Sequence, residues 1–118
     1  MIKNTASHTN CQNVAQSFFG ISNETRLNIL TYLAKNEASK IDATALCNYF
    51  NLAPNKLNFH MSHLIKADLV NAEKSGRHIY YSANLMHLNK VLQYVMYNCF
   101  GAIDIKYRVS RPARSRSG

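Results

Sequence analysis

A chain of 118 residues with 47% apolar side chains, four glycines and two prolines is long enough for one domain with a single, largely helical core. Its start, Met1-Ile2-Lys3-Asn4-Thr5, is polar, and no uncharged apolar run approaches the roughly 18 residues of a membrane span. Neither secretion nor membrane insertion is expected, and three widely spaced cysteines, Cys11, Cys47 and Cys99, fit reduced thiols in the cytoplasm better than a disulfide framework. The formal charge of +8 suggests a polyanionic partner, but +5 of it falls in residues 106–118, where Lys106, Arg108, Arg111, Arg114 and Arg116 meet no acid, leaving +3 for residues 1–105. Residues 1–105 are therefore read as one folded domain and 106–118 as a basic, disordered tail.

In chain order, Cys11, Val14, Ala15, Phe18 and Phe19 recur at helical spacing, with Gly20 as the expected stop of a first helix. Ser22 is the expected N-cap of a second helix, Glu24 suits its first turn, and Leu27, Leu30, Leu33 and Ala34 mark its apolar side as far as about Lys35. A polar connection, 36–40, leads to Asp42 as the cap of a short third helix with Ala45, Leu46, Tyr49 and Phe50 on one face. After only Asn51 to Ala53, Pro54 opens a fourth helix whose Leu57, Met61, Leu64 and Ile65 share a face. Two short helices joined this closely, the second carrying Asn, Lys and His outward, have the layout of a helix-turn-helix.

The pattern then changes. Residues 69–74 and 77–82 are rich in β-branched and aromatic side chains around Ser75-Gly76, which predicts a β-hairpin with a Ser-Gly turn; placed after a helix-turn-helix, it is a wing. Tyr80 and Tyr81 alternate between its faces, so one of them is expected in the core. A last helix, about Leu85 to Phe100, sets Leu85, Leu88, Leu92, Val95 and Cys99 in a seam of threes and fours with Gly101 beyond it. The expected fold is mainly α with a β-hairpin wing, in the order four helices, two strands, helix. The first and fifth helices are expected to join two copies into a homodimer, because a lone helix at the end of so small a domain is stabilised by burying its face.

For double-stranded DNA as partner, Asn55, Lys56, Asn58, Phe59 and His60 are the candidate groove residues: Asn bonds adenine edges, Lys bonds guanine or phosphate, and Phe meets a thymine methyl. Lys74, Arg77 and His78 are the candidate wing contacts. No paired carboxylates, no nucleophile with a base and no Gly-rich phosphate loop stand out, so an enzyme is not expected and no cofactor is assigned. His60 and His63, three apart on a helix, fit a groove-facing surface better than a metal site. Cys11 and Cys99, with His8 as a conceivable third ligand, are the candidate thiol or metal-sensing residues, set against a plain reading as small apolar side chains.

Three stretches carry a family resemblance. Phe18-Phe19-Gly20-Ile21-Ser22-Asn23-Glu24-Thr25-Arg26-Leu27-Asn28-Ile29-Leu30 resembles the "F-x-x-L-S-x-x-T-R-L-x-I-L" opening of ArsR/SmtB repressors. Leu57-Asn58-Phe59-His60-Met61-Ser62-His63-Leu64 is similar to their "hydrophobic-S-x-H-L-x-x-L" recognition helix. Ala67-Asp68-Leu69-Val70, then Lys74-Ser75-Gly76-Arg77-His78-Ile79-Tyr80-Tyr81, resembles "A-G-L-V … R-x-G-R-x-x-Y-Y" at the wing. The resemblance runs over about residues 14 to 100 and implies a winged helix-turn-helix repressor that binds a pseudo-palindromic operator as a dimer.

The departures bear on what is sensed. Where family metal sensors have Cys-x-Cys, this chain has Asp42-Ala43-Thr44, with Cys47 alone matching a third cysteine of some arsenic sensors. Of the fifth-helix zinc pattern only His87 remains, beside Leu85, Asn98 and Gly101. Tyr97-Asn98-Cys99-Phe100 resembles the "E-N-C-C" of arsenite sensors but has Phe100 for the second sulfur, and Thr31 stands where thiol sensors carry their first cysteine. A constitutive repressor, a thiol sensor and a metal sensor all stay open. The alternative from another class is a dimeric interaction module or anti-repressor that has lost specific DNA binding, suggested by Ala53 as a weak N-cap and by Phe59.

Overall fold

The computed structural model describes residues 9–37 and 39–101; His8 and the basic segment 106–118 lie outside the described residues. Its elements are α1 (Cys11–Gly20), α2 (Glu24–Lys35), β1 (Ile41–Asp42), α3 (Ala43–Phe50), α4 (Pro54–Lys66), β2 (Val70–Ser75), β3 (His78–Ala83) and α5 (Leu85–Phe100). All five helices and both hairpin strands stand where periodicity predicts them. The two-residue strand β1 does not appear in the sequence pattern, because a strand that short exists only through its partner. It pairs antiparallel with β3, Ile41 opposite Tyr81 and Asp42 opposite Tyr80, giving the sheet order β1-β3-β2.

Helix ends follow local chemistry, with three corrections. The side chain of Asn10 caps α1 by accepting from the Asn13 N–H at 2.9 Å. At α2 the cap is Asn23, accepting from the Arg26 N–H at 3.0 Å, whereas the expected cap, Ser22, turns back and donates to the Phe19 carbonyl at 2.8 Å. Asp42 holds the N-cap position of α3 but makes no side-chain cap bond. Gly20 is not a left-handed stop: it is the last residue of α1 and is buried, because a Cβ there would lie 2.6 Å from the Ala67 Cβ. Two helices do end in a left-handed residue. Asn51 (φ 55) closes α3, with the Leu52 N–H bonding to the Cys47 carbonyl at 2.9 Å, and Asp68 (φ 61) follows α4, with the Leu69 N–H on the Leu64 carbonyl at 3.0 Å. The hairpin turn is also one residue later than predicted: Ser75 pairs with His78, and Gly76 (φ 63) and Arg77 form the loop. A positive φ at the first loop residue alone is the type II′ geometry that glycine favours and that matches strand twist.

Ile29, Leu30 and Leu33 of α2, Leu46 of α3, Leu57, Met61 and Leu64 of α4, and Leu69, Val70 and Tyr81 at the wing form one buried cluster. Leu57, Met61 and Leu64 face inward as expected, and of the tyrosine pair it is Tyr81 that enters the core. Leu27, Ile65 and Tyr49, predicted on apolar faces, are exposed, and Ile29 takes the central place on α2. On α5 only Val91 is buried; Met86 and Leu92 are exposed, and Leu85, Leu88 and Val95 are half-buried.

Candidate nucleic-acid interface

Burial of Leu57, Met61 and Leu64 fixes the roll of α4, since their spacing of four and three residues puts them on one stripe. The opposite stripe is thereby turned to solvent. Asn55, Lys56 and Asn58 are exposed, and Phe59 is 56% exposed although it is a large apolar residue. Pro54 at the first turn gives up no useful N–H, and the Lys56 and Leu57 N–H groups both reach the Ala53 carbonyl at 3.0 Å. The end of α4 that would enter a groove is thus formed without a side-chain cap at Ala53.

His60 behaves differently from its neighbours. It is half-buried, and Arg26 Nη1 lies 3.3 Å from its Nδ1. Burial first, then the Arg26 guanidinium and the nearby His63 and Lys56, hold its imidazole below the ordinary value of 6.5, so the neutral ring prevails at pH 7. Arg26 itself is buried, and its Nε–H donates to the Gly20 carbonyl at 2.7 Å. Nothing in the spacing of the chain marks Arg26 as more than a surface residue of α2, yet it ties the end of α1 to α4. Phe59 and Phe19 both lie edge-on to His63, with ring centroids at 4.9 and 5.9 Å.

Beside α4 the wing exposes Lys74 and, at the loop, Arg77. His78, the third candidate, is exposed as well, with its Nδ1 3.6 Å from Asp42 Oδ1, and Lys40 pairs with Glu73 nearby. These two exposed pairs join the wing to the start of α3; exposed pairs contribute little stability, of order 0–1 kcal/mol each.

The candidate sensing residues are placed away from this face. Within one copy Cys11 and Cys99 are both exposed, on α1 and α5, the two helices expected to join the copies. Cys11 bonds to the Tyr94 side chain, and partial burial together with this thiol raises the Tyr94 hydroxyl above its ordinary value. Among the described residues no three or more His, Cys, Asp or Glu side chains gather as a metal site would require. His87 reaches Ser17 rather than other ligands, its Nε2 2.9 Å from Oγ, while Ser17, buried, also donates to the Ala67 carbonyl at 3.0 Å.

No protein-family model and no curated protein matches the sequence, so similarity is visible through structure. An ArsR-like transcriptional regulator from Rhodococcus sp. RHA1 superposes with a TM-score of 0.65 over 91% of this chain and 96% of its own, at 26% identity. The chain has the ArsR-type winged helix-turn-helix fold. NolR from Sinorhizobium fredii is similar at 25% identity and a TM-score of 0.58, covering 86% of this chain and 97% of that one. A homodimeric winged helix-turn-helix DNA-binding domain from Mycobacterium bovis shares the fold alone, at 19% identity and a TM-score of 0.60 over 80% and 88%. In ArsR terms, α3 and α4 are the helix-turn-helix, β2 and β3 the wing, and α1 and α5 the helices outside the reading head. Among the described residues no helix is long and apolar enough to cross a membrane.

Proposed function

We propose that the chain is a transcriptional repressor that binds a pseudo-palindromic DNA operator as a homodimer. The observation that carries this reading is the roll of α4: its apolar stripe is taken up by the core, and Asn55, Lys56, Asn58 and Phe59 are exposed, as are Lys74 and Arg77 of the wing. Asn and Lys supply base-edge hydrogen bonds, the phenyl ring suits a thymine methyl, and the wing cations suit phosphates. Dimerisation through α1 and α5 is supported by the half-buried and exposed apolar residues along α5, which a single copy leaves uncovered, and by the homodimeric relative. A two-fold axis there would set two recognition helices about 34 Å apart, one turn of DNA. Repression is then steric, the dimer occupying an operator that overlaps a promoter.

The test is selection of duplexes from a randomised pool by the full chain, followed by anisotropy titration. Enrichment of an inverted repeat is expected, with Asn58→Ala or Lys56→Ala weakening binding by about 1–3 kcal/mol where either reads a base. Recovery of no common sequence by a folded dimer would reject the repressor and favour an interaction module. Repeating the titration with diamide, a persulfide donor, arsenite or zinc decides whether Cys11 or Cys99 senses anything: release by one agent, abolished in Cys11→Ser or Cys99→Ser, identifies the inducer.

A further inference from the structure

We infer that Arg26 is a positioning residue that fixes His60 as a one-sided N–H donor toward the DNA, so that His60 reads a purine N7, guanine above all. The inference deepens the DNA-binding reading and rests on it. A buried guanidinium needs acceptors, and among the described residues no carboxylate pairs with Arg26. It is served instead by two neutral groups: the carbonyl of Gly20, at the negative end of α1, at 2.7 Å, and His60 Nδ1 at 3.3 Å. A guanidinium cannot accept a hydrogen bond, so the Nδ1 that faces it must be the bare nitrogen. The proton of the neutral ring then sits on Nε2.

The two N–H directions of an imidazole diverge widely, so with Nδ1 on the buried Arg26 the Nε2–H of the half-buried His60, one turn after Lys56, is assigned to the side of α4 that exposes Lys56 and Phe59. Among the described residues no other hydrogen-bond partner of His60 is found. A lone donor in the major groove matches the acceptors of a purine edge and is repelled by the amino group of cytosine; guanine offers N7 and O6 with no competing donor. His60 therefore contributes as a reader of one polarity, and Arg26, which never reaches the base, decides which polarity that is.

Long-range proton–nitrogen NMR spectra of the 15N-labelled full chain read the tautomer without DNA. The expected result is a single Nε2–H form for His60, replaced in Arg26→Met by a mixture of tautomers; an Nδ1–H form or a mixture in the unmodified protein would overturn the inference. Because Arg26→Met removes a buried bond and can fail to fold, the second arm leaves Arg26 in place. In His60→Gln the amide oxygen can accept from Arg26 while its NH2 donates outward, so binding to the selected duplex is retained; in His60→Leu it falls roughly tenfold. Replacing the contacted guanine by 7-deazaguanine costs the unmodified protein a similar factor and costs His60→Leu nothing. Unchanged affinity and sequence preference in a folded His60→Leu, or a uniform weakening on every sequence as a phosphate contact would give, overturns the base contact. If the pool yields no enriched sequence, the DNA-binding reading fails and the base contact with it, while the tautomer still reports separately on the Arg26 bond.

Discussion

At Gly20 the backbone of α1 meets the end of α4 so closely that the missing side chain is itself the contact. The Ala67 Cβ that a methyl group would strike, at 2.6 Å, is bonded directly to backbone and has no rotamer to yield. Gly20→Ala is therefore expected to destabilise the fold by about 1–3 kcal/mol, through overpacking. Ala67→Gly in the same chain should return part of that stability; equal denaturation midpoints for Gly20→Ala and the parent would refute the close approach. Asp68 is the opposite case. It sits at φ 61, where a side chain is strained, and its family resemblance is to a glycine. Asp68→Gly should stabilise the chain by about 0.5–1 kcal/mol, since the Asn84 amide bonds the backbone carbonyl and not the carboxylate. A lower midpoint in urea would show that the carboxylate contributes more than its backbone conformation costs. His60 adds a pH dependence whose sign is fixed by its depressed titration. The unfolded chain binds the proton first as pH falls, so the contribution is fully present above pH 6.5 and is lost as pH drops through the lower folded value. Urea midpoints of the parent and His60→Gln, which keeps an acceptor for Arg26 and does not titrate, should run together above pH 6.5 and separate below it as the parent falls; parallel curves would contradict the assignment.

Among the elements, α5 leaves large apolar side chains uncovered along its length. Val91 is its one fully buried residue, while Leu92 is 46% and Met86 73% exposed. Sixteen residues with one buried anchor are held by little from their own chain. For the proposed dimer, Leu92→Glu is expected to shift the chain from dimer to monomer in sedimentation equilibrium and to weaken the proposed operator binding with it, because a charge in an apolar seam is costly. A variant that stays dimeric would move the interface elsewhere. The recognition helix shows the reverse balance. Its apolar stripe was legible in the spacing of Leu57, Met61 and Leu64, and so was the exposure of Asn55, Lys56 and Asn58 opposite. The half-burial of His60 was not, because its cause is Arg26, thirty-four residues away in the chain and indistinguishable by spacing from an exposed helix cation.

For the whole molecule, charge sets the long-range behaviour. In the proposed complex the cations of the wing and of α4 would act on the DNA backbone regardless of sequence, so Arg77→Ala should weaken specific and random duplexes alike and reduce the slope of log affinity against log salt by about one for each phosphate no longer neutralised. A weakening confined to the specific duplex would mean that Arg77 reads a base. Wing placement also depends on the sheet: Lys40–Glu73 and Asp42–His78 connect it to the start of α3, a connection made by the short strand β1.

Local patterns in the chain specified the order of the five helices and the hairpin, the apolar stripe of α4, the entry of one wing tyrosine into the core and the incompleteness of each family metal-ligand pattern. Periodicity, cap residues and turn residues act over a few positions, and local order is what they encode. Contacts between distant segments were needed to make Ile41–Asp42 a strand, to make Gly20 a contact rather than a stop, to bring His78 to Asp42 and to bury Arg26 against His60. Each of these is fixed by a partner far along the chain, and pairing across such distances follows from how the helices settle on their shared core, which no local window of residues contains.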